Sequence, residues 1–140
     1  MYQKIEFTSR IDIMHKNPEP DAVVISIASS NMEDARIQDG FKDILFMKFD
    51  SNEHLSNHKI RFSSVNADEI LNFVRQNENE AQTIYVNCVM GESRSAAVAQ
   101  ALADYYKIEM KQKSNLKVDW IYDVLGMQAL RTHKSKPKLV

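Results

Sequence analysis

Short, nearly continuous runs of apolar residues alternate along this chain with longer stretches in which apolar residues recur at helical spacing. The clearest runs are AVVISIA, ILFMKF and TIYVNC, which predict strands over Ala22–Ala28, Ile44–Phe49 and Thr83–Cys88. The segment Lys4–Thr8 alternates weakly and predicts a further strand at a sheet edge. Continuous apolar runs of this length are typical of strands covered on both faces, as in a parallel sheet.

Helical spacing predicts three helices, over Ala67–Gln76, Ser93–Tyr106 and Lys117–Arg131. Asn66 or Asp68 is a suitable N-cap for the first of them, because both side chains accept hydrogen bonds from free backbone N–H groups. Strands that alternate with helices indicate a single-domain α/β fold. We expect a mostly parallel central sheet of about four strands, flanked by helices.

Length and charge narrow the class of protein. The 140 residues fit one domain, which we place at residues 1–132, followed by a polar, basic tail at 133–140. Lys and Arg number 18 and Asp and Glu 19, a balance that argues against a nucleic-acid-binding protein. The apolar runs are far shorter than the ~20 residues of a membrane span, and the start, MYQKIEFTSR, lacks an apolar signal core. We therefore expect a cytoplasmic protein without a membrane partner.

The stretch with the strongest chemical implications is IYVNCVMGESRSAAVAQALADYY, in which a buried strand ends at Cys88 and a helix opens at Arg94. Ligand sites in open α/β sheets lie at the carboxyl ends of strands. The loop between these residues is short enough for its backbone N–H groups to point inward as an anion-binding nest, and Gly91 permits the backbone conformation this requires. The positive end of the helix also favours phosphate.

The side chains at this loop suit phosphate chemistry. Arg94 offers a planar fork that matches two phosphate oxygens. The same positive field lowers the pKa of the Cys88 thiol below its ordinary value, and a thiolate that faces phosphorus is a nucleophile. The Ser95 hydroxyl is placed to hydrogen-bond that thiolate. A lone cysteine is otherwise most often a small buried apolar residue, but the spacing of Gly, Arg and Ser after Cys88 favours a site.

The run Asn87–Ser95, NCVMGESRS, resembles the active-site loop H-C-x-x-G-x-x-R-[ST] of the cysteine-dependent protein tyrosine phosphatases. The ending SRSAA is most similar to the dual-specificity branch, and the segments VISIAS and ILFMKFDS look like those of compact bacterial and phage members. This resemblance covers about residues 23–130. It implies a protein tyrosine phosphatase-like fold and hydrolysis of phosphate monoesters in two steps, without a metal or another cofactor.

The resemblance also implies the role of each residue. Cys88 attacks phosphorus and forms a phosphocysteine, Arg94 holds phosphate oxygens, Ser95 assists the breakdown step, and an aspartic acid protonates the leaving oxygen. The residues that bind phosphate are then Val89, Met90, Gly91, Glu92, Ser93 and Arg94.

The acid in this superfamily lies upstream of the cysteine, beyond a neighbouring strand, and Asp50 matches that position. It follows the strand ILFMKF and should share a sheet edge with Cys88. Asp43 precedes the same strand and should lie at the opposite edge, while Asp68 is better explained as a helix start. A turn residue is the plain alternative for Asp50. The reserve candidates are Glu53 and His54.

One residue departs from the family pattern, because Asn87 stands where the family has histidine. Asparagine can still hydrogen-bond, but it carries no positive charge, so a less depressed thiol pKa and slower turnover are expected. Val89, Met90 and Glu92 add no basic side chain to the loop, which favours a phosphoprotein or small aryl phosphate over a highly charged substrate. Phosphate, sulfate or vanadate should act as ligand or inhibitor.

Other functions stay open at this point. A phosphopeptide-binding module of the same fold is one alternative, favoured by Asn87 and by the uncertain acid. An arsenate reductase or sulfurtransferase is another, although an arsenate reductase of this type relays electrons through further cysteines and Cys88 is the only one. A single cysteine also excludes an internal disulfide. His54 and His58 stand four residues apart, but no third metal ligand is evident.

Overall fold

The computed structural model describes residues 1–50, 60–112 and 120–133, and in this part of the chain strands and helices alternate. In chain order the elements are β1 (Lys4–Ser9), α1 (Arg10–His15), β2 (Ala22–Ala28), β3 (Asp43–Lys48), α2 (Ser64–Asn77), β4 (Thr83–Cys88), α3 (Arg94–Tyr106) and α4 (Trp120–His133). The strands form one sheet in the order β1-β4-β2-β3, and every pair is parallel. The predicted single-domain α/β fold with a parallel four-stranded sheet is therefore confirmed.

The strands agree closely with the sequence pattern. Strands β2 and β4 occupy the predicted ranges and are buried along their whole length, because they are the two inner strands. Strand β1 lies at an edge, as its weak alternation predicted. Strand β3 forms the other edge and ends at Lys48, one residue before the predicted end at Phe49. Phe49 is nevertheless fully buried below the sheet edge.

The two faces of the sheet are covered differently. Helices α2, α3 and α4 pack on one face and enclose the main core, to which β4 contributes Ile84, Val86 and Cys88. On the opposite face, Ile13 of α1 packs with Tyr85 and with residues of β2. Successive strand residues point to opposite faces, so this division explains why Cys88 and Asn87 meet different surroundings.

The helices differ from the predicted ones at their starts. Helix α2 begins at Ser64 and is capped by Ser63, rather than by Asn66 or Asp68. Asn66 instead completes a capping box from inside the helix, because its Oδ1 accepts a hydrogen bond from the Ser63 N–H at 2.9 Å. Helix α3 begins at Arg94, and Ser93, the predicted first residue, is its N-cap. The predicted start of α4 at Lys117 lies outside the described residues.

Helix α1 was not predicted. Its six residues, RIDIMH, are too few for a helical repeat to stand out, and the helix is held by a cap and by packing. Ser9 Oγ accepts a hydrogen bond from the Asp12 N–H at 3.1 Å, and Ile13 is fully buried. Helix α1 matters for the site because it follows β1 directly at the edge where Cys88 ends β4. Within the described part of the chain, the helices are too short or too polar to cross a membrane.

Candidate active site

Cys88 is the last residue of β4 and lies at the carboxyl edge of the parallel sheet, beside Ser9 at the end of β1. Its side chain is 2% exposed and points to the face that carries α3. The Cys88 Sγ lies 3.1 Å from the Ser95 Oγ, in the first turn of α3. The predicted pair of thiol and hydroxyl is thus brought into hydrogen-bond contact by the strand, loop and helix.

The loop between β4 and α3 is shaped by its contact with β1. Gly91 has φ = +72°, and a Cβ on it would come within 2.6 Å of the backbone at Thr8 and Ser9. The Val89 carbonyl accepts a hydrogen bond from the Arg10 N–H at 3.2 Å. The junction of β1 and α1 therefore packs against the loop and holds its backbone in place. No local sequence pattern indicated this contact.

The inward-facing loop amides reach the thiol itself. Burial raises the pKa of Cys88, but hydrogen bonds from the Ser95 hydroxyl and from the backbone N–H groups of Ser95, Gly91 and Glu92 outweigh it. The pKa of Cys88 is therefore lowered from its ordinary value, because these donors stabilise the thiolate. The Ser95 amide lies one residue beyond the nest predicted from the sequence, whereas Gly91 and Glu92 belong to it.

Arg94 ties the loop to two other strand ends. It is a buried residue, and its Nη1 donates hydrogen bonds to the Phe49 carbonyl at 2.8 Å and to the Ser29 Oγ at 3.1 Å. These contacts occupy Nη1 and fix the guanidinium plane. The guanidinium has five N–H donors, so Nε and Nη2 retain the pair that matches two phosphate oxygens. Ser29 was missed in the sequence, although it directly follows a buried strand, where site residues are expected.

Asp50 lies at the predicted sheet edge and is held by backbone amides. Its Oδ1 accepts a hydrogen bond from the Ser30 N–H and its Oδ2 one from the Ile60 N–H, each at 2.9 Å. The Asp50 N–H in turn donates to the Ile60 carbonyl at 2.8 Å. Asp50 directly follows Phe49, and the Phe49 carbonyl accepts a hydrogen bond from Arg94. Asp50 is therefore adjacent in the chain to a residue that binds Arg94. It also links two loops, a structural role that the sequence did not reveal.

The other acidic candidates that the structure describes lie in different parts of the fold from Asp50. Asp43 begins β3 and so lies at the amino edge, opposite Asp50, as predicted. Its carboxylate accepts from the Ile44 N–H at 3.0 Å and from the Asn77 side chain at 3.3 Å. Asp68 accepts a hydrogen bond from Gln128 at 2.8 Å, within the packing of α2 against α4. Glu53, His54 and His58 lie outside the described residues.

Asn87 does not contact the thiol. It is fully buried, and neither its Oδ1 nor its Nδ2 has a hydrogen-bond partner among the described residues. In the sheet register it stands between Thr8 and Ser26, on the face opposite Cys88. The hydrogen bond expected of this residue is therefore not formed here.

The mouth of the loop is formed by residues that face solvent. Met90 is 70% exposed. Glu92 is exposed as well, so its carboxylate adds a negative charge at the entrance. In the described ranges, no three His, Cys, Asp or Glu side chains come together as a metal site would require. The only cationic side chain within the loop is that of Arg94.

Comparisons with known proteins give no match: no family model, no curated protein and no solved structure is similar enough to this chain.

The Ser95 hydroxyl offers a direct test of the thiol's surroundings. Ser95→Ala removes a donor that lowers the Cys88 pKa, so we expect the pH midpoint of Cys88 alkylation by iodoacetamide to rise. Below the wild-type midpoint the variant should react more slowly, and at alkaline pH the two rates should converge. Cys88 is the only cysteine, so no other thiol contributes.

The matched control is Ser93→Ala, because the Ser93 side chain makes no capping hydrogen bond. It should leave the midpoint where it is in the wild type. Equal midpoints for Ser95→Ala and the wild type would contradict the assignment of Ser95 as a thiolate donor.

Proposed function

We propose that this protein hydrolyses phosphate monoesters through a phosphocysteine intermediate, as a protein tyrosine or dual-specificity phosphatase. The observation that carries the proposal is the convergence of hydrogen-bond donors on Cys88. Two loop amides, the Ser95 amide and the Ser95 hydroxyl surround the thiol, and the buried Arg94 stands at the end of the same loop. Donors that stabilise a thiolate also suit the oxygens of a phosphoryl group in front of it.

In the first step, the Cys88 thiolate attacks phosphorus. A P–S bond forms and the P–O bond to the leaving group breaks, with its electron pair passing to the leaving oxygen. That oxygen takes a proton from Asp50. The Nε and Nη2 groups of Arg94 and the loop amides bind the oxygens that carry the developing charge, which is where preorganised donors contribute most to rate.

In the second step, water attacks the phosphocysteine. Asp50, now ionised, takes the proton from the water, the P–S bond breaks, and the sulfur leaves as a thiolate. The Ser95 hydroxyl stabilises that thiolate from 3.1 Å. The positive charge that these steps need is supplied by Arg94, and the proton by Asp50, so the residues of this chain account for both steps.

The substrate we propose is a phosphoprotein or a small aryl phosphate. The mouth of the loop carries Met90, whose apolar side chain suits an aromatic ring, and Glu92, whose charge disfavours further anionic groups close to the phosphate. A nucleic acid is correspondingly disfavoured. A lone thiolate nucleophile needs reducing conditions, so we propose the cytoplasm as its compartment.

The test is hydrolysis of p-nitrophenyl phosphate by the purified chain with a chelator present. We expect saturable hydrolysis that vanadate inhibits, with a phosphate adduct on the Cys88 peptide after rapid quenching. Folded protein that neither hydrolyses the ester nor yields an adduct would overturn the proposal.

A phosphopeptide-binding module is the second candidate, and one observation favours it. Both oxygens of Asp50 accept backbone N–H groups, and a protonated carboxyl accepts hydrogen bonds less well than a carboxylate, so carrying the proton weakens these contacts. If it does not, Cys88 and Arg94 still form a cradle for a phosphoryl group. Such a module would bind phosphopeptides with unchanged affinity in Asp50→Asn. It would hydrolyse neither phosphopeptides nor p-nitrophenyl phosphate.

Asp50→Asn separates the two roles of this residue. A phenolic leaving group such as that of phosphotyrosine needs protonation, whereas p-nitrophenolate leaves readily without it. If Asp50 is the acid, we expect kcat on a phosphotyrosine peptide to fall by about 10²-fold or more, and kcat on p-nitrophenyl phosphate to fall much less. Equal losses on both substrates, together with a lower melting temperature, would assign Asp50 to loop anchoring alone.

A further inference from the structure

A groove of about 460 Å³ lies between the start of α2 and the outer side of α4. Its walls include Arg61, Ser63, Ser64, Trp120, Met127 and Arg131. None of the mechanistic steps above uses these residues.

The groove combines two positively charged side chains with exposed apolar ones. Arg61 and Arg131 are exposed, and neither makes an ion pair or a side-chain hydrogen bond with another described residue. Trp120 and Met127 are 50% and 55% exposed, although both are large apolar side chains. The described residues that line the groove include no acidic side chain.

The tryptophan is held in place rather than loosely exposed. Its Nε1 donates a hydrogen bond to the Phe62 carbonyl at 3.0 Å, so one edge of the ring is fixed against the segment that leads into α2. The structure places Trp120 at the first turn of α4, where half of it remains open to solvent.

The groove is connected to the candidate active site by short contacts. The Phe62 ring lies 4.9 Å, centroid to centroid, from the Phe49 ring, and the Phe49 carbonyl accepts the hydrogen bond from Arg94. Arg61 directly follows Ile60, whose N–H is bound by Asp50. One peptide segment thus carries both the anchor of the proposed acid and one wall of the groove.

We propose that this groove binds an acidic segment of the phosphoprotein substrate, one that carries an apolar side chain among its carboxylates. The carboxylates would meet Arg61 and Arg131, and the apolar side chain would pack on Trp120 and Met127. Charge complementarity selects this occupant, since Arg61 and Arg131 have no side-chain partner among the described residues and arginines favour carboxylates. The inference rests on the proposed phosphatase function, because it treats the groove as a subsite of that activity.

The fluorescence of Trp120 tests binding without depending on catalysis, because Trp120 is the only tryptophan in the chain. We expect an unphosphorylated peptide of Asp, Glu and Leu to change this fluorescence saturably, and a Lys-substituted peptide of equal length to have no effect. Arg61→Gln and Arg131→Gln should each weaken binding about two- to five-fold, which is the usual range for one exposed ion pair. Added salt should weaken it further.

The control for these variants is Lys107→Asn, which also removes one positive charge. Lys107 is the C-cap of α3 and lies in the left-handed region, with φ = 57°, where asparagine is well tolerated. It does not line the groove. This variant should bind the acidic peptide as tightly as the wild type does. No fluorescence change, equal responses to acidic and basic peptides, or equal weakening in Lys107→Asn would each overturn the proposal. A response to heparin as strong as that to the peptide would overturn it too, because the surface would then be a general polyanion site.

Kinetics separate this inference from the proposed function. With an acidic phosphotyrosine peptide, each arginine variant should lower kcat/KM about two- to five-fold, mainly through KM. With p-nitrophenyl phosphate, which is too small to reach the groove, kcat/KM should stay at the wild-type value. If the arginine variants keep wild-type activity on both the peptide and the ester, the groove proposal is refuted and the phosphatase proposal is not. An enzyme inactive on both substrates refutes the phosphatase, and the fluorescence titration then still decides the groove.

Discussion

Replacing Cys88 with serine is expected to lower p-nitrophenyl phosphate hydrolysis by about 10⁴-fold or more, the scale on which enzymes lose activity when their nucleophile is removed. The reason lies in the donors around Cys88. Hydrogen bonds from Gly91, Glu92 and Ser95 stabilise a thiolate, but they cannot ionise an alcohol at neutral pH. Serine is close to cysteine in size and keeps the contact with Ser95, so the loop and the buried edge of the sheet should be preserved.

The measurement is steady-state hydrolysis with a chelator present, across pH 5 to 8, for wild type and Cys88→Ser. Inorganic phosphate should raise the melting temperature of both proteins to a similar degree, because Arg94 and the loop amides remain. Phosphate stabilisation without hydrolysis in the variant separates the role of the nucleophile from that of the cradle. Substantial vanadate-sensitive hydrolysis by Cys88→Ser would exclude the phosphocysteine mechanism.

The acid side of the pH profile follows from the sign of the pKa shift. The reactive form is the thiolate, and the pKa of Cys88 is lowered. Activity should therefore rise with pH at values below those at which an ordinary thiol ionises.

The inner strands were predictable from the sequence because their environment is simple. Strands β2 and β4 are covered on both faces, so every residue is selected for burial and the apolar runs mark their ends. The start of α2 was less predictable. Ser63, Asn66 and Asp68 all suit a cap, and only the packing of the helix decides which one lies at its end.

The part of the candidate site that is formed by residues close together in the sequence was predictable. Cys88, Gly91, Arg94 and Ser95 lie within eight residues, so their spacing specifies a strand, a loop and a helix start. The partners that fix them come from elsewhere in the chain. Arg94 contacts Ser29 and Phe49, 65 and 45 residues away, and Asp50 contacts Ser30 and Ile60. These pairings depend on the strand order β1-β4-β2-β3, which hydrophobic periodicity does not determine.

Gly91→Ala is expected to have the second large effect, and for two separate reasons. Its φ of +72° lies in the left-handed region, where a side chain costs about 1–3 kcal/mol. The new Cβ would also lie 2.6 Å from backbone atoms of Thr8 and Ser9, which cannot move aside without displacing β1. We therefore expect a loss of at least this much unfolding free energy, or a displaced loop.

A displaced loop should lower kcat/KM for p-nitrophenyl phosphate by about 10²-fold or more, because a shift of about 1 Å in catalytic groups has effects of that size. A displaced loop withdraws the Gly91 and Glu92 amides from Cys88, so the midpoint of Cys88 alkylation should also move to higher pH. Activity loss together with this shift assigns the effect to the donors around the thiol. Activity loss without it would assign the effect to general destabilisation.

Gly126→Ala is the matched control, because Gly126 lies inside α4 and an added Cβ there meets nothing within 4 Å. Alanine is favoured over glycine in a helix interior by about 0.5–1 kcal/mol, so this variant should be slightly more stable and fully active. The same chemical change thus has opposite expected effects at the two glycines. Wild-type activity in Gly91→Ala would mean that the loop does not rest on β1, and the arrangement of donors around Cys88 would then have to be abandoned.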